Sequence, residues 1–213
     1  MPQKHTFKIV LIGDGGVGKT SLRNQYIHHR FAATYKATIG ADFLSTEVEG
    51  ADGRKVLLQV WDTAGQERFA SLGKAFYRGA DVCVLVYSVA SYASFASLDR
   101  WRKDFLLHAS PADPSAFPFI VVGNKTDLGE ERVVTRRQAQ DWAARTHRGL
   151  DEWDRQGIEV MPCLETSAKE GVGVEDVFSA VAQRVRIPQL TIDMYGDGEE
   201  RRERERVFDN GCK

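Results

Sequence analysis

The chain has 213 residues, 42% of them apolar and 28% charged, with a formal net charge of −1. That is the make-up of one ordinary globular domain with room for a tail, and the charge balance argues against nucleic acid as a partner, which calls for a basic patch or stripe. The start, Met1-Pro2-Gln3-Lys4-His5, lacks the apolar core of a signal peptide, Pro2 stands where N-myristoylation needs glycine, and the longest apolar stretch, Val82 to Tyr87, falls far short of the roughly 20 residues of a membrane span.

In chain order, Phe7 to Ile12 predicts a short strand that stops at Gly13-Asp14-Gly15-Gly16-Val17-Gly18, with a helix following from Lys19 to about His28. Ala41 to Glu49 and Lys55 to Trp61 alternate like two strands, and Ala51-Asp52-Gly53 between them supplies hairpin chemistry. Val82 to Val89 and Phe117 to Gly123 are apolar, β-branched runs of the kind buried on both faces of a parallel sheet. Between them Phe95, Leu98, Trp101, Phe105 and Leu106 recur at helical spacing. Thr135 to about Thr146 predicts a helix, Ile158 to Leu164 a last strand and Val174 to Val185 a last helix. Strand alternating with helix means βαβ units, hence a doubly wound α/β fold with right-handed connections and ligands at the carboxyl ends of the strands.

Three cysteines are too few and too scattered for a disulfide framework, which fits a reducing compartment. Cys83 and Cys163 read as small buried thiols on strands rather than metal ligands, since no His stands near them at a zinc-like spacing. From Ile187 the apolar periodicity fades, and Glu199 to Arg206 is a solid run of mixed charge, read as a solvated tail.

Gly13 to Thr20 fits G-x-x-x-x-G-K-[ST] in full, between a predicted strand and a predicted helix. The glycines let the backbone curl so that successive N–H groups face phosphate oxygens, and the helix start adds unpaired N–H groups and a favourable dipole. Lys19 would reach the β- and γ-phosphates and Thr20 would coordinate Mg²⁺. The cradle predicts a nucleoside triphosphate without naming the base. Asn124-Lys125-Thr126-Asp127 follows an apolar strand, where a carboxylate can accept from guanine N1 and N2, a donor pair that adenine lacks. Glu165-Thr166-Ser167-Ala168-Lys169 follows the next strand, and Asp62-Thr63-Ala64-Gly65-Gln66-Glu67 follows an earlier one.

On these four ordered motifs the chain resembles the Ras superfamily of small GTPases over residues 6 to about 186. Ile39 to Phe43, Trp61 to Phe69 and Phe76 to Asp81 are similar to Rab segments. Within Rabs, Tyr35 to Leu44, and the stretches from Ser97 to Arg102, Ala109 to Pro114 and Phe117 to Phe119, resemble the late-endosomal and vacuolar Rab-seven group. The resemblance implies a P-loop GTPase fold with a six-stranded, mostly parallel sheet, one antiparallel edge strand and helices on both faces. It divides the chain into a G domain over 1–186, with a surface insertion near 147–158, and a flexible charged tail over 187–213.

By the same resemblance Asn124 and Asp127 bind guanine, Lys125 and Lys169 cover the base from either side, the Ala168 N–H meets guanine O6 and Ser167 braces the loop. Phe31 stacks on the base, with a plain core role as the alternative. The cradle residues Gly13, Asp14, Gly15, Gly16, Val17, Gly18, Lys19, Thr20 and Ser21, with Tyr35, Thr38 and Gly65, complete the nucleotide set. Mg²⁺ is held by Thr20 and Thr38, with Asp62 acting through water. Gln66 orients the attacking water, the Gly65 N–H senses the γ-phosphate, and Lys19 and Thr38 complete the catalytic group. Gly15 leaves the transition state unobstructed. No arginine in the motifs serves as a finger in cis, and a missing finger is worth about 10³ to 10⁵ in rate. Slow turnover of GTP to GDP is therefore expected, dependent on an activating protein.

Ile39, Gly40, Ala41, Asp42, Phe43, Trp61 and Phe76 are the implied effector-binding residues, although Phe43 and Trp61 equally suit ordinary strand-face packing. Implied partners are an exchange factor, a GTPase-activating protein, effectors, and prenyl escort and GDP-dissociation-inhibitor proteins, around a monomer. The chain ends Asn210-Gly211-Cys212-Lys213, neither a C-a-a-X box nor a paired-cysteine ending. Cys212 is either a prenylation site or a plain exposed thiol, and the charge run from Glu199 to Arg206 supplies no polybasic second signal. A lipid at Cys212 implies cycling between cytosol and the cytoplasmic face of late endosomes, vacuoles or lysosomes. Two departures stand out: Tyr87-Ser88-Val89, where the family has Asp after the aromatic, and the insertion, whose Trp153 could anchor a partner or pack the segment down. A GTP-binding module acting without useful hydrolysis is the competing function. A P-loop kinase would need an acceptor lid and an arginine cluster, and the chain shows neither.

Overall fold

The computed structural model describes residues 5–50, 53–65, 74–148 and 161–185. Six strands, β1 (Thr6–Ile12), β2 (Ala41–Glu49), β3 (Lys55–Thr63), β4 (Val82–Ser88), β5 (Phe119–Asn124) and β6 (Cys163–Glu165), form one sheet in the order β2-β3-β1-β4-β5-β6. Every pairing is parallel except β2 with β3, so the predicted antiparallel edge strand is β2.

The helices among the described residues are α1 (Lys19–His28), α2 (Tyr92–Ala96), α3 (Leu98–Ala109), α4 (Arg136–Arg148) and α5 (Val174–Arg184). Residues of β1 alternate between two cores. Ile9 and Leu11 pack with Leu22, Phe178 and Val181 under α1 and α5. Val10 and Ile12 pack with Leu98, Trp101, Phe105 and Trp142 under α3 and α4. β4 and β5 are buried along their whole length, as strands covered on both faces must be. Burying each such aliphatic side chain contributes about 1.5–3 kcal/mol before the entropy of ordering is charged against it. Tyr26 of α1 stacks on Phe178 of α5 with centroids 3.7 Å apart, tying the helix that opens the cradle to the far end of the sheet.

Five expectations shift. The helical run from Phe95 to Leu106 is two helices, because Ser97 ends α2 and begins α3; Ser91 caps α2 by accepting from the Ser94 N–H. The helix predicted from Thr135 starts one residue later, with Thr135 and Gln138 exchanging hydrogen bonds in a capping box. It runs on through Arg148, so residues 147 and 148 of the expected insertion are helical, while residues 149–160, with Trp153, lie outside the described residues. The last strand is only Cys163–Glu165, and Cys163 is half-buried rather than buried like Cys83. Ser88, in the place of the family's Asp, settles locally: its N–H donates to Ser94 Oγ at 3.0 Å and its hydroxyl accepts from the Ala90 N–H.

Candidate functional site

β1, β3 and β5 all end on one edge of the sheet, and the strand order reverses between β1 and β4, the crevice where open α/β sheets take ligands. A cleft of about 740 Å³ opens there, lined by Gly15, Gly16, Gly18, Lys19, Thr20, Ser21, Asn24, residues 31–38, Gly65 and Lys125. Phe31, Tyr35, Thr38, Gly65 and Lys125, scattered over the sequence, therefore share one wall with the cradle. Phe31 is 42% exposed on that wall, which removes the plain core reading.

The loop after β1 wraps because its glycines permit what a side chain would forbid. Gly18 has φ 99°, and a Cβ there would run into the Asn124 amide; it precedes α1, whose first turn no side chain caps. The leading N–H groups of α1 thus stay available to an anion. A Cβ at Gly65 would collide with Lys19 Nζ and the Asp14 carbonyl, so the backbone after β3 rests directly on the cradle.

Lys19 is 5% exposed and donates to the carbonyls of Gly13 at 2.7 Å and Asp14 at 2.9 Å. Burial pulls its ammonium down to about 8, against the pull of the Asp62 and Asp14 carboxylates. Beside it, Thr20 Oγ1 donates to Asp62 Oδ2 at 2.5 Å, Thr38 Oγ1 lies 3.2 Å from the same oxygen, and the two hydroxyls are 3.0 Å apart. Burial raises the Asp62 carboxyl above its usual range, opposed by the Thr20 hydrogen bond and by Lys19 and Arg23. Its second oxygen, Oδ1, is buried with no hydrogen-bond partner among the described residues. Two hydroxyls and a carboxylate with an orphaned buried oxygen are a hard-oxygen donor set that suits Mg²⁺, supplemented by water and phosphate.

At the other end of the cleft, the two motif loops after β5 and β6 are zipped together. Thr166 donates its N–H to Gly123 and its carbonyl accepts from Thr126. Ser167 Oγ donates to Asp127 Oδ1 at 2.7 Å, as the brace implied, and Lys169 Nζ lies 3.9 Å from Asp127 Oδ2. Lys125 has a positive φ of 68°, a strained backbone of the kind that persists at functional loops. Arg132 grips Glu165 with two nitrogens, at 2.7 and 3.3 Å, fixing the end of β6.

Asn124 is 1% exposed and its amide ties three backbone segments: Nδ2 donates to the Val17 carbonyl at 2.9 Å, and Oδ1 accepts from Thr166 Oγ1 at 3.0 Å and from the Ala168 N–H at 3.1 Å. Asn124 thus braces the cradle against the base loops with one amide hydrogen and its oxygen, and the Ala168 N–H shares that oxygen. The reason is burial: an amide sealed between loops must satisfy its neighbours.

The aromatic residues at the sheet edge pack together as a strand face, and one of them stays exposed. Phe43 and Trp61 are a cross-strand pair in register, stacked at 4.7 Å, and Phe76 stacks on Trp61 at 5.3 Å, while Phe43 stays 45% exposed. Asp42 is tied to α1 by Arg23 at 3.0 Å. That buried arginine was not legible as a site residue, because an Arg in a helix pattern reads as a solvated face. Gln66 and Cys212 lie outside the described residues.

Comparison with known proteins agrees with this geometry. A family model described as the Ras family matches residues 8–187. The Ras-related protein Rab7 of Drosophila melanogaster is 54% identical over 195 residues, which cover 92% of this chain and 87% of the relative. The Ras-related protein Rab7 of Pisum sativum is 53% identical over 178 residues, 83% of this chain and 80% of the relative. The Ypt/Rab-type GTPase Rab7 of Neurospora crassa is 49% identical over 196 residues, 92% of this chain and 89% of the relative.

Proposed function

The chain belongs to the Ras family, as a small GTPase of the Rab7 type, and on that premise we propose how its residues work the switch. It hydrolyses GTP and acts in membrane traffic through regulators and effectors that distinguish its nucleotide states. The convergence of Thr20, Thr38 and Asp62 beside Lys19, in the cleft that Gly65 and Lys125 also line, carries the assignment of residues to roles.

In this reading the cradle from Gly13 to Thr20 and the first turn of α1, with Ser21, hold the phosphate chain by backbone N–H groups. Lys19 gives its ammonium to the β- and γ-phosphates. Thr20 and Thr38 hold Mg²⁺ directly and Asp62 through water, and the metal, when bound, offsets phosphate charge. Gly65 presents its N–H to the γ-phosphate, and Gln66 orients the attacking water. Asp127, braced by Ser167, reads guanine, with Lys125 and Lys169 flanking the base and Phe31 and Tyr35 closing the cleft wall. Asn124 meets the base with its remaining amide hydrogen while the rest of the amide positions the cradle.

Phe43, Trp61 and Phe76, with the segment from Ile39 to Asp42, form the effector face, since that segment follows directly on the Mg²⁺ ligand Thr38 and leads into the row of three stacked rings. The division into a G domain over 1–186 and a tail over 187–213 is supported by where the family match ends. Specific partners are an exchange factor, an activating protein, a prenyl escort and a GDP-dissociation inhibitor. Among the described residues no helix is long and apolar enough to cross a membrane. We assign membrane attachment to a geranylgeranyl group on Cys212 and the compartment to late endosomes or vacuoles, as the Rab7 relatives suggest.

Nucleotide analysis of the purified protein, with GTP-against-ATP competition, tests the site. Retained guanine nucleotide is expected, and equal competition by ATP would refute the guanine assignment. Gln66→Leu should leave GTP binding intact and slow hydrolysis; equal activator-stimulated rates in variant and parent would remove Gln66 from its role. For the anchor, mass spectrometry of the protein from its own cells should find a lipidated Cys212 peptide, and an unmodified one would refute it.

A further inference from the structure

Asp14 stands at the second position of the cradle, where the motif accepts any residue, yet three parts of the molecule meet on it. Its Oδ1 accepts from Trp101 Nε1 at 2.8 Å and from Arg100 Nη2 at 3.1 Å, both on α3. Its carbonyl accepts from Lys19 Nζ at 2.9 Å, and the Gly65 backbone lies so close that a Cβ there would strike that same carbonyl. Trp101 is 4% exposed, packed in the core beside Phe105 and Leu98, so its indole N–H has a set direction. Arg100 is on the solvent side, 61% exposed, with its guanidinium 5.4 Å from the Trp101 ring.

We infer that Asp14, anchored by Trp101 and Arg100, is a positioning residue that fixes the peptide on which Gly65 closes toward the γ-phosphate. The anchor reaches from the core of α3, through one carboxylate, to the carbonyl that holds Lys19 and to the glycine that meets the third phosphate. Releasing it lets the Asp14 peptide turn, which loosens Lys19 and the seat of Gly65 together. GDP has no γ-phosphate for Gly65 to meet, so the anchor acts on GTP more than on GDP. The two bonds are unequal: Trp101 offers a part-buried donor to a charged acceptor, worth more than an exposed and salt-screened arginine contact.

This inference rests on the reading that the cradle holds phosphates, so the parent protein is measured first. If the parent binds no nucleoside triphosphate, that reading fails and the inference goes with it. Given a parent that binds GTP, Trp101→Phe removes the N–H while keeping an aromatic ring in the core. Affinities for GDP and for a non-hydrolysable GTP analogue are measured with Mg²⁺, along with single-turnover hydrolysis. Trp101→Phe should lower the GTP-to-GDP affinity ratio by about tenfold and slow hydrolysis, with a smaller loss of GDP affinity through the Lys19 contact to the β-phosphate. Arg100→Gln should lower the ratio by about twofold at low salt, and the difference should vanish at high salt. Should Trp101→Phe fold poorly, Asp14→Ala on the loop must reproduce its loss, while Asp14→Asn, which keeps an acceptor for Trp101, must be milder. Equal losses for GDP and GTP would mark the contact as merely structural and overturn the assignment, as would an unchanged ratio.

Discussion

Asn124→Ala should be among the most damaging single substitutions in the chain. The amide is 1% exposed and makes three hydrogen bonds, to the Val17 carbonyl, the Thr166 hydroxyl and the Ala168 N–H. The Thr166 hydroxyl can turn to another acceptor, but the two backbone groups cannot move without unmaking their loops. Stranding a buried backbone group costs about 1–3 kcal/mol, so the pair costs about 2–6 kcal/mol, centred near ~4. For a domain of this size that is a fall in Tm of about 8–16 °C. Urea unfolding at fixed, saturating GDP and Mg²⁺ is the assay, because bound nucleotide adds its own stabilisation; the midpoint should fall with the slope unchanged. Asn124→Asp sharpens the test. It keeps acceptors for Thr166 and Ala168 but sets a carboxylate oxygen against the Val17 carbonyl, so it should cost at least as much as alanine. A loss under about 1 kcal/mol for Asn124→Ala, or an Asp variant milder than the Ala one, would refute the brace.

Asp127→Asn should turn preference from GTP toward xanthosine triphosphate, since an amide cannot accept both guanine donors; a variant still selective for GTP would take Asp127 out of base reading. Nucleotide affinity should depend on pH through Lys19, whose ammonium burial pulls down to about 8. Phosphate binds the protonated form, so above pH 8 binding must take up a proton, and Kd should rise about tenfold per pH unit while staying flat below 7; a GDP titration series giving one Kd from pH 7 to 9 would contradict this. Asp42→Ala should cost more stability than Arg23→Met. The first leaves a guanidinium with 6% of its side chain exposed without its carboxylate, whereas the second leaves a carboxylate that is 66% exposed and readily hydrated. Thermal melts of the two variants giving the reverse order would overturn that reasoning.

The alternation of apolar runs and helical stripes, and the four loop motifs, were legible in the chain because they are local. A strand buried on both faces must be apolar throughout, as β4 and β5 are, and a backbone that cradles phosphate needs glycine where a Cβ would strike its neighbour, as at Gly18. Period and steric exclusion act over a few residues, so one sequence carries them. What only the tertiary structure decided lies in contacts across long separations. Asn124 sits 107 residues from Val17 and braces it; Trp101 sits 87 residues from Asp14 and holds it; Arg23 reaches Asp42 from inside a helix. Nothing adjacent in the sequence named these partners: Asn124 stood in a base-reading motif, Trp101 in an apolar helical stripe and Arg23 in a helix pattern. Their partners were set by the strand order β2-β3-β1-β4-β5-β6, which brings the ends of β1, β3 and β5 to one edge, and by the demand that a polar group shut away from water find a partner wherever the fold puts one.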